Sequence, residues 1–296
     1  MAHPSNMAHA VREFESASMR AFWQEIIGHL RGKPVQLLSF DDVRARLRLR
    51  EESYKGLQNI PLDAVVGSVG RYKDFTGNFL PKSAVNPERW SRIYAEMVGE
   101  LGLPPIEVYR VSEVYFVRDG NHRVSVARAL KFKTIQAYVT EVDSPLELNR
   151  LTLTKQMDAA ESYIAFLDET GLRYSRPNLE SLMLSEPSRY GDLIGHLNLH
   201  RAVLAEQWGM MPGMEASTIH WYEHVYIPAV ELMRTHDVLQ GAKGRTEADL
   251  YLWLVEHFCE IEICYSGTMS DFNPALVAFL RQHGLPVPPE LLEKVS

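Results

Sequence analysis

The chain has 296 residues, of which 46% are hydrophobic and 23% charged, and its net charge is -7. This composition is ordinary for a folded globular protein and excludes disordered, collagenous and fibrous classes. No apolar run approaches the roughly 18 residues that a membrane span needs, and no signal-peptide pattern opens the chain, so we expect a cytoplasmic protein with no membrane segment.

The charge is distributed unevenly over three predicted segments. Residues 1–54 are predicted to form an amino-terminal helical segment, residues 55–145 a mixed domain, and residues 146–296 an acidic, all-helical domain. The last segment carries a net charge of -10, whereas the first two carry +1 and +2. Because DNA binding depends on Lys and Arg displacing counterions from phosphates, DNA could be bound only through residues 1–145.

The first segment predicts two helices. Apolar residues recur every three or four positions over 11–30, which is typical of an amphipathic helix. Ser39 followed by Asp42 predicts the start of a second helix, with a hydroxyl cap and an early acid. Within it, arginines from Arg44 to Arg50 alternate with apolar residues. They could form a basic strip for phosphate, but the flanking acids favour a solvated, self-paired face.

Strands begin at Ile60 and alternate with turns and helices. Short apolar runs predict strands over 60–69, 106–111, 114–117 and 135–142. Residues 87–101 predict a helix with proline in its first turn, and a short helix follows a tight turn at residues 119–121. Beyond residue 146, periodicity predicts helices over 146–155, 159–169, 190–197, 200–208, 217–236, 246–265 and 274–283. The fold class is therefore α+β, a mixed α/β domain followed by an all-helical domain.

The most informative segment runs from a strand end at Asp119 and Gly120 into the next helix. His122 and Arg123 fall in its first turn, where free amides and the positive end of the helix dipole favour phosphate. Gly120 permits the tight turn, and Asp119 could act as a magnesium ligand or general base. A plain helix cap would equally explain the pattern, with Asp119 or Asn121 satisfying amides and Arg123 paired to a carboxylate.

This segment also carries a family resemblance. Residues 119–128 resemble the D-G-x-H-R-x-x-A-A motif of the ParB/sulfiredoxin-like fold, and residues 60–63 followed by 70–71 resemble the first box of that domain. The resemblance covers about residues 56–142. It implies that the two boxes meet around the phosphates of a nucleotide, and it implies binding roles for Arg71, Gly120, Asn121, His122 and Arg123.

Sequence differences from the known groups of proteins with this fold limit which activities the resemblance implies. Sulfiredoxins carry a reactive cysteine where this chain has Asn121, which excludes sulfinic-acid reduction. Partitioning ParB proteins carry a G-E-R-R type box that binds CTP and a basic helix-turn-helix, whereas the region after the box is acidic here. The free-serine kinases of this fold have a D-G-H-H-R-like box that residues 119–123 resemble. Those kinases also need an acidic residue upstream of the box, and neither Asp63 nor Asp74 matches it cleanly.

The helical half resembles an uncharacterised group of bacterial ParB-domain proteins, through residues 185–201 and 221–228. We therefore expect a ParB-like nucleotide-binding protein that takes ATP or another nucleoside triphosphate with Mg²⁺. Phosphotransfer or hydrolysis of the nucleotide would follow, with Asp119 as the catalytic residue and Mg²⁺ ligand. The alternative is a DNA-associated transcriptional regulator or a ParB-like nuclease in which the nucleotide acts as a switch. A homodimer is compatible with either.

A second pattern lies in the helical half. His220 and His224 fit H-x-x-E-H, the inverted zinc-protease pattern, and their spacing places both imidazoles on one helix face. Glu231 or His236 could supply a third ligand. The aromatic residues around the motif are equally typical of packing positions, and this second interpretation is favoured.

Overall fold

A computed structural model describes residues 4–31, 36–99, 103–175, 182–235 and 244–260, with the single positions 277, 281, 287 and 292. The chain divides into two compact units, Met1–Lys155 and Gln156–Ser296. The first unit combines a sheet with helices, and the described part of the second is helical. This confirms the predicted fold class.

The first unit is built on a six-stranded mixed sheet in the order β1-β3-β5-β4-β6-β2. The strands are β1 (Leu38–Ser39), β2 (Glu52–Pro61), β3 (Val65–Ser68), β4 (Ile106–Val111), β5 (Val114–Asp119) and β6 (Thr134–Val142). The helices are α1 (Pro4–Leu30), α2 (Phe40–Arg46), α3 (Pro87–Val98), α4 (Asn121–Ala129) and α5 (Arg150–Lys155). β3 runs parallel to β5, whereas β4 pairs antiparallel with β5.

β2 is the strand that the apolar pattern missed. It begins at Glu52, well before the predicted start at Ile60, and it crosses the boundary expected between residues 54 and 55. Its residues before Ile60 are mostly exposed, because it lies at the edge of the sheet and pairs only with β6. The predicted strand over 60–69 is also interrupted, by a 3-10 turn at Leu62–Ala64. Backbone pairing, rather than hydrophobic alternation, determines this part of the sheet.

Helix packing completes the first unit. The hydroxyl of Ser39 accepts a hydrogen bond from the amide of Asp42 at 3.3 Å, so the predicted start of α2 is confirmed. α1 packs against α3, with the rings of Phe14 and Trp90 5.5 Å apart. α3 packs against α4, where Trp90 Nε1 donates to Ser125 Oγ at 2.9 Å. These contacts hold α1, α3 and α4 in one packed layer.

The second unit consists of α6 (Met157–Thr170), α7 (Leu172–Ser175), α8 (Tyr190–Trp208), α9 (Met214–Trp221), α10 (Ile227–Thr235) and α11 (Glu247–Glu260). α8 is continuous where the sequence predicted two helices, and a π-helical turn, Tyr222–Tyr226, joins α9 to α10. Trp221 Nε1 donates to the buried hydroxyl of Tyr251 at 2.9 Å. Of the helix predicted over 274–283, only positions 277 and 281 belong to the described residues, and both are helical.

None of the helices in the described ranges is both long enough and apolar enough to cross a membrane.

Candidate functional site

The turn between β5 and α4 has the geometry of an anion site. Gly120 has φ 112° and ψ 22°, in the left-handed region, and caps α4 without a side chain. A Cβ at this position would lie 2.5 Å from Ile106 Cγ2, so both the backbone and the available space require glycine. The first amides of an α-helix have no acceptor within the helix. The first turn of α4 can therefore donate to a bound anion.

The loop after β3 lies next to the turn between β5 and α4. The hydroxyl of Ser68 donates to the Val117 carbonyl at 3.0 Å, which ties the end of β3 to β5. The side-chain amide of Asn121 donates to the Gly70 carbonyl at 3.4 Å. Arg71 follows with φ 56°, and its Nε lies 3.3 Å from Asp74 Oδ2. The two sequence boxes are thus neighbours in space.

Two buried polar atoms stand without partners at the start of α4. His122 is only 4% exposed and Asn121 7%. Neither His122 Nε2 nor Asn121 Oδ1 has a hydrogen-bond partner in the described part of the chain. The ring of Phe75 meets the imidazole edge-on at a centroid distance of 5.5 Å. Because an unpaired buried polar atom costs stability, such atoms indicate a missing water or ligand.

The electrostatic surroundings of His122 are positive. Burial, followed by the charges of Arg89 and Arg71, lowers its pKa from 6.5 to about 4. The imidazole is therefore neutral at pH 7 and can donate one hydrogen bond. Two cations near a neutral donor and free helix amides produce a local field that favours an anion.

Arg123 and Asp119 contact each other. Arg123 Nη1 donates to the carbonyls of Pro104 at 2.6 Å and Pro105 at 2.7 Å, and Nη2 donates to the Asp119 carboxylate. Arg123 is thus paired to a carboxylate, the alternative that the sequence left open for it, and it also fastens α4 to the segment before β4. The side chain of Asp119 remains 64% exposed at the mouth of the site.

Arg89 is the charged residue that sequence reasoning missed. It lies in the first turn of α3, where its amide donates to the Asn86 cap at 2.9 Å. The neighbouring Trp90 donates to Ser125, one helical turn beyond His122, so α3 packs on α4 beside Arg89, and the charge of Arg89 lowers the pKa of His122. The helix was predictable from its apolar spacing, but which helix it packs against was not.

The H-x-x-E-H motif belongs to no metal-binding cluster among the described residues. Within the described ranges, no group of three or more His, Cys, Asp or Glu residues is arranged to hold an ion. The rings of His220 and His224 stack at 4.1 Å, and His220 Nδ1 lies 3.0 Å from His200 Nε2. Glu231 lies in α10, and His236 is outside the described residues.

No family model and no curated protein matches this chain. Solved structures do match. Sulfiredoxin from Arabidopsis thaliana is 18% identical, with 30% of this chain and 89% of that chain covered and a TM-score of 0.24. C-terminally truncated ParB from Caulobacter crescentus, complexed with CTP-gamma-S, is 15% identical, with 77% and 99% covered and a TM-score of 0.23. A Pnob8-like ParB-N domain is 13% identical, with 79% and 84% covered and a TM-score of 0.23.

Because the TM-scores of these three structures lie below 0.5, the structures support no conclusion about the function of this chain.

Proposed function

We propose that the first unit binds a nucleoside triphosphate, with its phosphates at the first turn of α4. The observation that carries this proposal is the buried, unpartnered Nε2 of His122, which lies close to Arg71 and Arg89 at a helix amide end. A phosphate oxygen would accept from the imidazole and from the amides of α4. The negative charge of the phosphate would also be stabilised by the positive charges of Arg89 and Arg71, the second of which has Asp74 as its present partner.

Each residue of the site has a distinct role in this proposal. Gly120 lets the phosphates approach the backbone, Arg71 and Arg89 flank them, and Asn121 ties the loop to the helix. Arg123 holds the turn in place through the Pro104 and Pro105 carbonyls. Its contribution to binding is therefore through the shape of the turn rather than through its charge.

Magnesium would be held mainly by the phosphates of the nucleotide. Asp119 offers one exposed carboxylate at the mouth of the site, and Mg²⁺ at nucleotides is commonly bound by one or two carboxylates plus phosphate oxygens. The ion would supply charge neutralisation during phosphotransfer or hydrolysis. To bind it, the carboxylate would have to share its contact with Arg123 or give it up.

Binding is tested by calorimetry with ATP, CTP, GTP and tripolyphosphate, each with and without Mg²⁺. We expect wild type to bind at least one nucleotide, and Arg89→Ala to weaken it by about tenfold or more, since a hydrogen bond to a charged group contributes about 1.5–3 kcal/mol. Arg118→Ala is the matched control, because Arg118 is an exposed arginine of the same unit that pairs with Glu107 instead. Absence of binding by every compound would refute the proposal.

Turnover is tested separately by phosphate release. If Asp119 is catalytic, Asp119→Asn should abolish release and leave nucleotide affinity nearly unchanged. A melting curve of the variant controls for loss of the contact with Arg123. If wild type binds a nucleotide without turnover, the alternative of a DNA-associated regulator is favoured instead. DNA binding by the full chain, measured with and without nucleotide, would then test that alternative.

A further inference from the structure

A cavity of about 720 Å³ lies between α1 and the beginning of α3. Its size is in the range of small-molecule sites. Ring contacts hold its two walls together, with His9 5.8 Å from Tyr94 and Phe14 5.5 Å from Trp90. The cavity is thus part of the packed first unit, yet its α1 wall falls outside residues 56–142, over which the sequence resembles a known domain.

The two walls differ in chemistry. The α1 wall is apolar and consists of Met7, 37% exposed, and Val11, 43% exposed. The α3 wall is mainly polar and is lined by Asn86, Pro87, Glu88, Arg89, Ser91 and Arg92. A ligand that fits between them needs an apolar face on one side and hydrogen-bonding edges on the other.

Ser91 is an independent sign of a ligand. The residue is 1% exposed, and its hydroxyl has no hydrogen-bond partner in the described part of the chain. Nearby, Asn86 uses its Oδ1 to cap the Arg89 amide, so Nδ2 is its remaining donor. A buried hydroxyl and an amide donor at one cavity are suited to the polar edge of a heterocycle.

Helix α3 connects the cavity to the proposed phosphate site, because Arg89 lines the cavity and the adjacent Trp90 donates to Ser125 of α4 at 2.9 Å. Arg89 also lies near enough to His122 to lower its pKa. Arg92, which also lines the cavity, lies about one turn further along α3. A ligand with phosphates at α4 would therefore extend past Arg89 toward Arg92.

We propose that this cavity holds the base of the nucleotide, and that α1 supplies its apolar wall through Met7 and Val11. This inference rests on the proposed function. A base has apolar faces, which pack against thioether, aliphatic and guanidinium groups, and polar edges, which bind hydroxyl and amide groups. Met7 and Val11 thus help to determine which nucleotide is bound, while the α4 turn binds any triphosphate.

The test compares a nucleotide with tripolyphosphate, which has phosphates but no base. Val11→Trp fills the cavity at a partly exposed position, so the fold should tolerate it. We expect this variant to bind the preferred nucleotide no more tightly than tripolyphosphate, with tripolyphosphate affinity unchanged. Ser91→Ala, which removes only an unpartnered hydroxyl, should weaken the nucleotide about fivefold and spare tripolyphosphate.

Val98→Trp is the matched control. It places the same large side chain at an exposed position, 51% accessible, at the far end of α3, and should change neither affinity. Equal effects of Val11→Trp on both ligands, or an unchanged nucleotide affinity, would overturn the base cavity while leaving the phosphate site intact. Failure of wild type to bind either ligand would instead overturn the proposed function, and the base cavity with it.

Discussion

Acid should destabilise the first unit through His122, and His122→Gln should remove this effect. The pKa of the folded imidazole is lowered from 6.5 to about 4, first by burial and then by Arg89 and Arg71. The unfolded imidazole therefore takes up its proton at a higher pH than the folded one. This contribution to stability is complete above about pH 6.5 and is lost progressively as the pH falls toward 4.

The size of the effect follows from the difference between the two pKa values. Each unit corresponds to about 1.36 kcal/mol, so the loss is about 2 kcal/mol at pH 5 and about 3 kcal/mol at pH 4. His122 is 4% exposed, so solvent screening reduces this value little. A loss of that size is a large part of the stability of a typical domain.

The assay is urea unfolding of wild type and His122→Gln at pH 7 and pH 5. Wild type should lose about 2 kcal/mol more than the variant over this interval. His200, whose pKa is also lowered to about 4 by burial, belongs to the second unit, so His200→Gln is the matched control and should leave the first-unit transition unchanged. Tripolyphosphate should reduce the acid loss in wild type, because a bound anion raises the pKa of His122. Equal losses in wild type and His122→Gln would refute the reasoning.

Two further substitutions test the local geometry of each unit. Gly120→Ala should destabilise the first unit by about 1–3 kcal/mol, because alanine is strained in the left-handed backbone conformation of this position. The contact of the new Cβ with Ile106 should add to this cost. A melting temperature equal to that of wild type would contradict this prediction. The carboxylate of Asp249, a residue only 4% exposed, accepts hydrogen bonds from the amides of Thr246 at 2.8 Å and Ser185 at 3.1 Å. Asp249→Ala should therefore lower the free energy of unfolding of the second unit by about 1–3 kcal/mol, measured by urea unfolding. A loss smaller than about 0.5 kcal/mol would show that water replaces both bonds.

Much of the fold was predictable from local patterns. Strands β4, β5 and β6 are rich in β-branched and aromatic residues, and α3 carries an Asn-Pro start and a regular apolar face, so each was predicted near its observed position. β2 was not predictable, because an exposed edge strand needs no apolar alternation and is held by pairing with β6. α8 was divided in error, because a polar residue, His200, occupies a buried position between Leu197 and Leu204 on one continuous helix.

The candidate site, like the fold, was predictable from the sequence only in part. The order Asp119, Gly120, Asn121, His122 already indicated a tight turn into a helix, because glycine and the first helical turn impose their geometry locally. The sequence could not indicate that Arg123 would be taken up by the Pro104 and Pro105 carbonyls.

Residue types and their order along the chain determined the helices, most of the strands and the glycine turn, since these depend on neighbours a few positions apart. Only the tertiary structure decided that the charge of Arg89 acts on His122, that the imidazole is buried and neutral, and that α1 and α3 line a common cavity. Burial, electric field and cavity shape depend on groups that are far apart in the chain and are brought together by packing, so no local pattern encodes them.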